Sequence, residues 1–463
     1  VLLVLFPQGK RTPRPGRGKS YTIEKVGAAP QGPQKAGIKM NILVVGGGGR
    51  EHAIIKKLKE DNRVKKIFAL PGNGGIAADA ACLGGSATDI PAAVAAAKKC
   101  AADFVVVAPD DPLVLGMVDA LEAEGFACFG PRKNAAIIEG SKAFSKDLMR
   151  KYGIPTAAYE TFHELEAALA YVETCPLPAV VKADGLALGK GVLICETREA
   201  ARSAVRSMME DRAFGDSGAT VVIEEFLTGP EVSVLSFTDG ETVVPMASSM
   251  DHKRALDNDQ GLNTGGMGTV APNPYYTEKI AAECMEKIFL PTIRAMKAEG
   301  RPFKGCLYFG LMLTPEGPKV IEYNCRFGDP ETQVVLPLLE SSLLEIMLAV
   351  SEGRLGTAEV RFSEKSACCV ILASEGYPQK YDKGFVITLP ETGADEQIYI
   401  AGAVEKDGKL LTNGGRVLGA VAVAETLPNA VDRAYALADR IHFENAFCRR
   451  DIGRRALRAL EEQ

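Results

Sequence analysis

The chain has 463 residues, of which 46% are hydrophobic and 24% charged, and its formal net charge is −5. A chain of this length is expected to fold into roughly two to four domains, each with its own core. Residues 1–39 carry +7, so the remaining 424 residues carry −12. An acidic body without a basic stripe argues against nucleic-acid binding, because neutralisation of phosphates dominates that affinity.

Membrane insertion and disulfide bonding are also not expected. No apolar run approaches the roughly 18 residues that a membrane-spanning helix needs. The 11 cysteines form no C-x-x-C pair, and Cys368 and Cys369 are adjacent within an apolar run. Such an odd, irregularly spaced set is typical of reduced core residues, which predicts a cytoplasmic location.

The first 39 residues differ from the rest of the chain. Residues 8–39 are rich in Gly, Pro, Lys and Arg and lack periodic apolar positions, so residues 1–39 are predicted to be disordered and outside the fold. Two interpretations stay open: a targeting peptide, or sequence translated upstream of a start at Met40. The lack of an amphipathic helix rich in Arg and Ser favours the second.

From Met40 to about Gly140, apolar strands alternate with helices. Strands are predicted at 40–45, 64–70, 103–108 and 126–129, and helices at 50–61, 90–101 and 113–124. Strands separated by helices in this way form a parallel sheet that is covered on both faces. We therefore predict a Rossmann-like domain at 40–141.

Two further units follow. In residues 142–352, strands are predicted at 178–183, 191–195, 220–226, 306–314 and 319–324. In residues 353–463, strands are predicted at 367–373, 385–389, 397–404 and 417–424, a turn at 413–414 and a helix at 429–441. The fold class is thus α/β and α+β multidomain, ending in a small α+β domain.

A glycine loop at 46–49 lies where the first strand meets a helix. Free N–H groups at a helix start favour a phosphate, and glycine lets the backbone approach it. The loop departs from the G-x-G-x-x-G dinucleotide pattern, because Glu51 occupies the third position and the second strand ends at Leu70-Pro71 without a carboxylate for a ribose. A phosphate monoester with Arg50 as ionic partner suits it better, and a plain tight turn is the alternative.

A second glycine-rich turn has Lys182 and Lys190 on its two sides. It is not a Walker loop, because it lacks the G-K-[ST] sequence and no helix follows. A flexible hairpin with lysines can close over a nucleoside triphosphate as a lid. The alternative is a solvated hairpin with surface lysines.

The most specific segment is the strand that carries Glu322, Asn324 and Arg326. Alternation along a strand puts these three side chains on one face. A carboxylate and an amide oxygen suit Mg²⁺ bound with a triphosphate, and an arginine beside them can hold a transferring phosphoryl group. A third glycine loop, 263–268, follows the polar segment 251–254. The four histidines have no paired-ligand spacing and no G-x-S-x-G occurs, so neither zinc chemistry nor a serine hydrolase is supported.

Together these segments resemble the glycinamide ribonucleotide synthetase family of ATP-grasp enzymes. The resemblance covers residues 40–452 and rests on segments 47–53, 71–73, 141–144, 182–192, 251–254, 263–268, 321–331, 412–416 and 450–453. It implies a substrate-binding domain at 40–141 and an ATP-grasp domain at 142–352, with a mobile lid at about 155–220. Asp110 stands where the family usually has Glu, and Leu262 where it usually has Pro.

The resemblance also implies roles for individual residues. ATP would be bound by Lys142, Lys182, Lys190, the hinge Glu224, Glu225, Phe226 and Leu227, and Glu231, which would take the ribose hydroxyls. Mg²⁺ or Mn²⁺ would be held by Glu322 and Asn324. The substrates would be bound by Gly48, Gly49, Arg50, Glu51, Asn73, Asp110, Asn263, Gly265 and Gly266. Lys253 and Arg326 would be the catalytic residues that stabilise charge.

The implied reaction joins glycine to 5-phosphoribosylamine at the expense of ATP, through glycyl phosphate, in purine biosynthesis. It needs no protein nucleophile, and the implied partners are these small molecules, with the protein a monomer. Two alternatives are an ATP-grasp carboxylase that activates bicarbonate and a non-catalytic nucleotide-binding scaffold. The family's motifs argue against the first. The second is opposed by the presence together of Lys182, Glu322, Asn324 and Arg326.

Overall fold

The structure is a computed structural model that describes residues 39–186 and 191–462. The predicted disordered segment, apart from Lys39, and the predicted nucleotide ligand Lys190 therefore lie outside the described residues. Within them, no helix is long and apolar enough to cross a membrane. All 11 cysteines are free, and Cys368 and Cys369 are buried.

The first part of the chain forms a parallel five-stranded sheet in the order β3-β2-β1-β4-β5. Its strands are β1 (Met40–Gly46), β2 (Val64–Pro71), β3 (Ala81–Cys82), β4 (Phe104–Val107) and β5 (Cys128–Phe129). Its helices are α1 (Gly49–Leu58), α2 (Ile90–Lys99), α3 (Asp110–Leu115), α4 (Met117–Ala123) and α5 (Lys133–Gly140). Helices cover both faces of the sheet, so the central residues of β1 and β4 are fully buried.

One predicted helix of this part is wrong. Residues 113–124 were expected to form a single helix, but the chain forms α3 and α4 with a break at Gly116. Gly116 has φ +100°, a left-handed conformation that ends a helix and that glycine adopts without strain. The first of the two helices also begins earlier than predicted, at Asp110.

The next part contains an antiparallel sheet in the order β6-β9-β7-β8. Its elements are α6 (Lys142–Tyr152), β6 (Tyr159–Phe162), α7 (Leu165–Val172), β7 (Ala179–Ala183), β8 (Val192–Cys195), α8 (Arg198–Met209) and β9 (Val221–Glu225). Helices α7 and α8 pack on this sheet around a core of their own that includes Val181, Val205 and Ile223. The predicted lid lies here, and its mobility stays a prediction.

A second antiparallel sheet, in the order β11-β10-β16-β17, follows. The elements from here to residue 352 are β10 (Glu231–Thr238), β11 (Val243–Pro245), β12 (Met250–Asp251), β13 (Arg254–Leu256), β14 (Gln260–Asn263), β15 (Gly268–Ala271), α9 (Glu278–Cys284), a π-helical turn (Met285–Phe289), α10 (Leu290–Ala298), β16 (Gly305–Thr314), β17 (Gly317–Asn324), α11 (Thr332–Leu338) and α12 (Leu343–Glu352). Short 3₁₀ turns occur at Ile76–Ala78, Gly215–Gly218, Asp257–Asp259 and Leu355–Thr357.

The last part shares a sheet with the one before it. Its elements are β18 (Ser366–Ser374), β19 (Glu396–Ile400), β20 (Ala403–Lys406), β21 (Lys409–Thr412), β22 (Arg416–Ala424), α13 (Leu427–Ala438), β23 (Ala446–Phe447) and α14 (Arg454–Glu461). The sheet runs β12-β15-β18-β22-β19, with β23 paired to β18. Strands β12 and β15 therefore carry the segments next to Lys253 and Gly266 into the C-terminal sheet.

Two predicted strands of this part are wrong. Residues 385–389 form only isolated bridges, because Val386 pairs with Leu411 whereas Thr388 pairs with His442, so no single partner strand runs along the segment. Residues 397–404 were expected to form one strand, but they divide into β19 and β20 at 401–402. Adding a Cβ to Gly402 would bring it within 2.6 Å of the Arg416 carbonyl oxygen, so the chain turns where its backbone crosses another closely.

Candidate active site

Strand β17 presents the two predicted metal ligands on one face. Glu322 pairs with Gly310 of β16 and Asn324 with Tyr308, and residues two apart on a strand point the same way. A Cβ on Gly310 would lie 3.0 Å from Glu322 Cγ, so a glycine opposite leaves room for the carboxylate. Lys253 donates to Glu322 Oε1 at 3.3 Å.

The charges around Glu322 keep it ionised. Its pKa falls to about 2, first because of Lys253 and also because of Lys182 and Lys142, although burial acts in the opposite direction. Lys253 has its pKa raised well above the usual value, chiefly by Glu322. An ionised carboxylate and an amide oxygen on one face are hard donors that fit a magnesium-like ion whose other ligands are phosphate oxygens and water.

Helix α6 and strand β7 supply the two predicted phosphate-binding lysines. The hydroxyl of Ser141 accepts the Phe144 N–H and so starts the helix, which places Lys142 in its first turn. Lys142 donates to the Gly185 carbonyl at 2.8 Å. Lys182 lies 3.0 Å from the Glu224 carboxylate and also donates to the Ile321 carbonyl, next to Glu322, at 3.2 Å.

Lys146, which was not predicted as a site residue, lies beside Lys182 on the same Glu224 carboxylate. It is 2% exposed, lies 3.0 Å from Glu224 Oε2 and donates to Thr156 Oγ1 at 2.8 Å. Burial lowers its pKa to about 8. The signal was available, because residues four apart share a helix face and Lys146 follows Lys142 by four.

The predicted adenine hinge lies where β9 ends. Glu224 is buried and its side chain binds lysines, while the Glu225 carboxylate accepts the Ala158 N–H at 3.0 Å. Beyond the strand, Phe226 is 38% exposed and Leu227 is half-buried. Glu231 is exposed at the start of β10.

The third glycine loop packs against the segment that carries Lys253. The Thr264 N–H donates to the Lys253 carbonyl at 2.8 Å. Gly266 has φ +115°, and a Cβ there would lie 2.5 Å from Pro330 and 2.6 Å from Asp251 Oδ1, so only glycine fits. Asn263 is exposed on β14.

Arg416, another residue without a predicted role, reaches this loop from the C-terminal sheet. It donates to the carbonyls of Gly265 and Asp329, both at 2.8 Å, and pairs with the Asp329 carboxylate at 3.2 Å. The 412–416 segment was part of the resemblance, but no sequence signal links it to partners that lie 87 and 151 positions earlier. The nearby Asp251 has its pKa raised well above the usual value by burial and by Glu331.

Arg326 is held between two carboxylates of the first part of the chain. Its Nη2 lies 3.3 Å from Glu139 Oε1 and 3.9 Å from Asp110 Oδ2. Glu139, which was not predicted, also accepts the Cys325 N–H at 2.7 Å. Arg326 contributes to holding the pKa of Asp110 below its usual value, against the effect of burial.

In the N-terminal glycine loop, the nearby side chains bond to one another. Glu51 accepts the Gly48 N–H at 2.6 Å and the Arg50 Nε–H at 2.6 Å, and Arg50 also donates to the Phe327 carbonyl at 3.1 Å. Gly46 has φ +123°, and a Cβ there would lie 2.4 Å from Glu51 Cγ. The glycines therefore make room for the Glu51 side chain beneath the loop.

Asn73 fastens this loop to the C-terminal part. Its amide donates to the carbonyls of Gly47 at 2.9 Å and Ile400 at 2.8 Å, and its oxygen accepts the N–H groups of Gly75 and Ile76. His52 adds a second link, because the Ile400 N–H donates to Nδ1 while Nε2 bonds Asp79.

The structure brings the predicted residues to one continuous region. The N-terminal loop meets the segment after β17: a Cβ on Gly48 would lie 3.5 Å from Asp329 Oδ2, and one on Gly49 would lie 2.7 Å from Gln333. Gly266 approaches Pro330 of the same segment, and Lys253 contacts Glu322, which comes just before it in the chain. Lys190 alone among the predicted site residues lies outside the described residues.

Family models match most of the chain. The N, ATP-grasp and C domains of phosphoribosylglycinamide synthetase match residues 40–139, 140–332 and 367–455. The chain belongs to the phosphoribosylglycinamide synthetase family. This is the glycinamide ribonucleotide synthetase family that the sequence predicted, so that prediction and the multidomain ATP-grasp fold are confirmed.

Individual relatives agree with the phosphoribosylglycinamide synthetase assignment. A phosphoribosylamine–glycine ligase of Pasteurella multocida is 48% identical over 422 residues, which cover 90% of this chain and 98% of that protein. The crystal structure of the Thermotoga maritima phosphoribosylamine–glycine ligase is 36% identical, with a TM-score of 0.79, and covers 89% of this chain and 100% of that one. The predicted ligase activity in purine biosynthesis is thereby confirmed.

A more distant structure shares only the fold. The biotin carboxylase domain of Hydrogenobacter thermophilus 2-oxoglutarate carboxylase, crystallised with MgADP and bicarbonate, is 15% identical, with a TM-score of 0.70 over 89% of this chain and 92% of that one. The synthetase family uses ATP with Mg²⁺ or Mn²⁺ as cofactors, as the sequence predicted.

Proposed function

We propose that this site phosphorylates the carboxylate of glycine with ATP and passes the glycyl group to the amine of 5-phosphoribosylamine. The observation that carries the proposal is the ionised Glu322, surrounded by Lys142, Lys182 and Lys253 on the ATP-grasp scaffold. The products are glycinamide ribonucleotide, ADP and phosphate. We further propose that the protein acts in the cytoplasm, since its cysteines are free and mostly buried. We propose that it is a monomer, as the family resemblance implies.

The nucleotide would lie between β17 and the sheet β6-β9-β7-β8, here called the lid sheet because most of it falls within the predicted lid. Lys142 and Lys182 would contact its phosphates, the backbone of residues 224–227 its adenine, and Glu231 its ribose. Lys190 is a further predicted ATP-binding residue. The side chain of Glu224 already binds Lys182 and Lys146, which supports a backbone role for the hinge. Glu322 and Asn324 would hold Mg²⁺ or Mn²⁺, which when bound neutralises charge on the phosphates.

In the first step, an oxygen of the glycine carboxylate forms a bond to the γ-phosphorus of ATP. The bond from that phosphorus to the bridging oxygen breaks, and its electron pair leaves with ADP. Lys253 and Arg326 would stabilise the charge on the transferring group. The pairing of Lys253 with Glu322 and of Arg326 with Glu139 would supply the positioning that phosphoryl transfer requires.

In the second step, the amine nitrogen of phosphoribosylamine attacks the carbonyl carbon of glycyl phosphate. The carbon–oxygen bond to phosphate breaks, phosphate leaves with that electron pair, and the nitrogen loses a proton to give the amide. A closed lid would keep water from the acyl phosphate. No protein nucleophile takes part.

Phosphoribosylamine would be bound by the N-terminal loop together with Asp110 and the loop around Gly265 and Gly266. Because Glu51 occupies the Gly48 N–H, we propose that the first-turn N–H groups of Gly49 and Arg50 hold its phosphate. Arg50, Glu51 and Asn73 would then act by shaping the loop, and Asn263 would complete the site from β14.

The direct test is ADP release with phosphoribosylamine generated in situ. We expect release only when ATP, a divalent metal, glycine and phosphoribosylamine are all present. Omitting each component in turn is the control. Release that needs bicarbonate in place of glycine would favour the carboxylase alternative, and light scattering would test the monomer.

A further inference from the structure

Lys146 is a fully buried lysine to which the proposed mechanism gives no task. It lies on α6, and only 2% of its surface is exposed. Burying a charged group is costly unless a partner of opposite charge compensates it. Glu224, whose Oε2 is 3.0 Å away, is that partner, and it is itself only 4% exposed.

Glu224 is shared between two lysines. Lys182 lies 3.0 Å from the same carboxylate, so a single negative charge faces two ammonium groups in a buried cluster. Together the three side chains of this cluster, Lys146, Lys182 and Glu224, carry one net positive charge. If Lys146 were absent, Glu224 would neutralise Lys182 instead, and the cluster would have no positive charge left for a phosphate.

Lys146 also contacts both ends of the segment that forms the sheet β6-β9-β7-β8. Its ammonium donates to Thr156, whose hydroxyl donates to the Val320 carbonyl of β17 at 2.7 Å. Glu224 lies at the second of these two ends, near the end of β9. Lys182 in turn donates to the Ile321 carbonyl, so the cluster joins lid strands to the strand that carries Glu322.

We propose that Lys146 is a positioning residue of the nucleotide site, which neutralises Glu224 so that the charge of Lys182 remains available to a phosphate of ATP. This inference rests on the proposed function, because it takes the ligand of Lys182 to be ATP. Lys146 acts through Glu224 and touches no substrate. Its pKa of about 8 means that it is charged at neutral pH.

The test compares binding of MgATP, by calorimetry at pH 7 without glycine or phosphoribosylamine, in four variants. We expect Lys146→Met to weaken binding about tenfold, because Glu224 then pairs with Lys182 alone. Glu224→Gln leaves two lysines without the carboxylate and is expected to bind at least as tightly as wild type. The double variant is expected to recover to within about threefold of wild type, since one positive charge remains.

Lys151→Met is the matched control, because Lys151 lies on the same helix but is exposed and pairs with Glu299. It should bind MgATP as wild type does. A merely structural role for Lys146 predicts that the double variant is as weak as Lys146→Met or weaker, and that result would overturn the proposal. Unchanged binding by Lys146→Met would also overturn it.

If Lys146→Met does not fold, Glu224→Gln keeps the test decisive. Weaker binding of MgATP by Glu224→Gln than by wild type would by itself contradict the charge argument. The ADP-release assay measures ligase activity separately. Failure of the proposed function would appear there, whereas failure of this inference would appear only in the MgATP titration.

Discussion

The N-terminal glycine loop and the lysine cluster around Glu322 are both expected to hold phosphate groups, but they are built in opposite ways. In the loop, the nearby charged side chains neutralise one another: Arg50 bonds Glu51, and Glu51 bonds the Gly48 N–H. In the lysine cluster, by contrast, the ammonium groups of Lys142, Lys182 and Lys253 act on the one carboxylate of Glu322 and lower its pKa. The body of the protein is acidic, so this excess positive charge is local.

The difference separates two ways of holding an anion. The loop depends on backbone shape, because its remaining N–H groups must point at the ligand and its side chains only support it. The cluster depends on side-chain charge, because the triphosphate carries more charge than N–H groups alone would balance. Substitutions should therefore act through geometry in the first region and through charge in the second.

The largest effect is expected in the lysine cluster around Glu322. Glu322→Ala removes a proposed metal ligand and should lower metal-dependent turnover by about a thousandfold or more while the fold survives. Circular dichroism would show whether the fold survives, and the ADP-release assay would measure the turnover. Glu316→Ala, at an exposed glutamate in the turn between β16 and β17, is the control. Unchanged activity in Glu322→Ala would exclude Glu322 as a ligand.

Geometry should dominate in the loop. Gly46→Ala places a Cβ 2.4 Å from Glu51 Cγ at φ +123°, so we expect a loss of about 3 kcal/mol in the free energy of unfolding and a higher KM for phosphoribosylamine. Gly125→Ala, at φ +86° with open space around it, isolates backbone strain and should cost about 1 kcal/mol. Equal losses in urea unfolding would contradict the crowding argument.

The sequence predicted the framework of both regions, because local patterns encode it. The alternation of strands and helices gave the first sheet, and alternation along β17 placed Glu322 beside Asn324. Lys146 could have been found from its helix spacing. Arg416 and Glu139 could not, because each meets its partners 87 or more residues away along the chain and no local pattern records the contact.

A smaller effect should distinguish the glycine loop from the lysine cluster, because it should change the binding of one substrate and not of the other. Arg50→Lys keeps the charge but loses the planar pair of bonds to Glu51 and Phe327. We expect KM for phosphoribosylamine to rise about tenfold and the affinity for MgATP to stay unchanged. Steady-state kinetics and calorimetry would show this, and an equal loss for both substrates would contradict the separation.

The smallest effect concerns the pH dependence of stability. It involves His252 and also His52, which joins the N-terminal glycine loop to β19. Burial lowers the pKa of His52, and burial with Arg449 nearby lowers that of His252 to about 4. The unfolded chain binds these protons near pH 6.5 and the folded chain at lower pH, so stability should fall as pH drops from 6.5 towards 4. His52→Gln should make this slope shallower in urea unfolding, and an unchanged slope would contradict the assignment.

The central claim is that glycine's carboxylate is phosphorylated before the amine attacks. Glycine labelled with ¹⁸O in both carboxylate oxygens tests it directly, with the released phosphate analysed by mass spectrometry. The proposed steps transfer one labelled oxygen to phosphate and leave the other in the amide of the product. Phosphate without label, formed together with glycinamide ribonucleotide, would contradict the account.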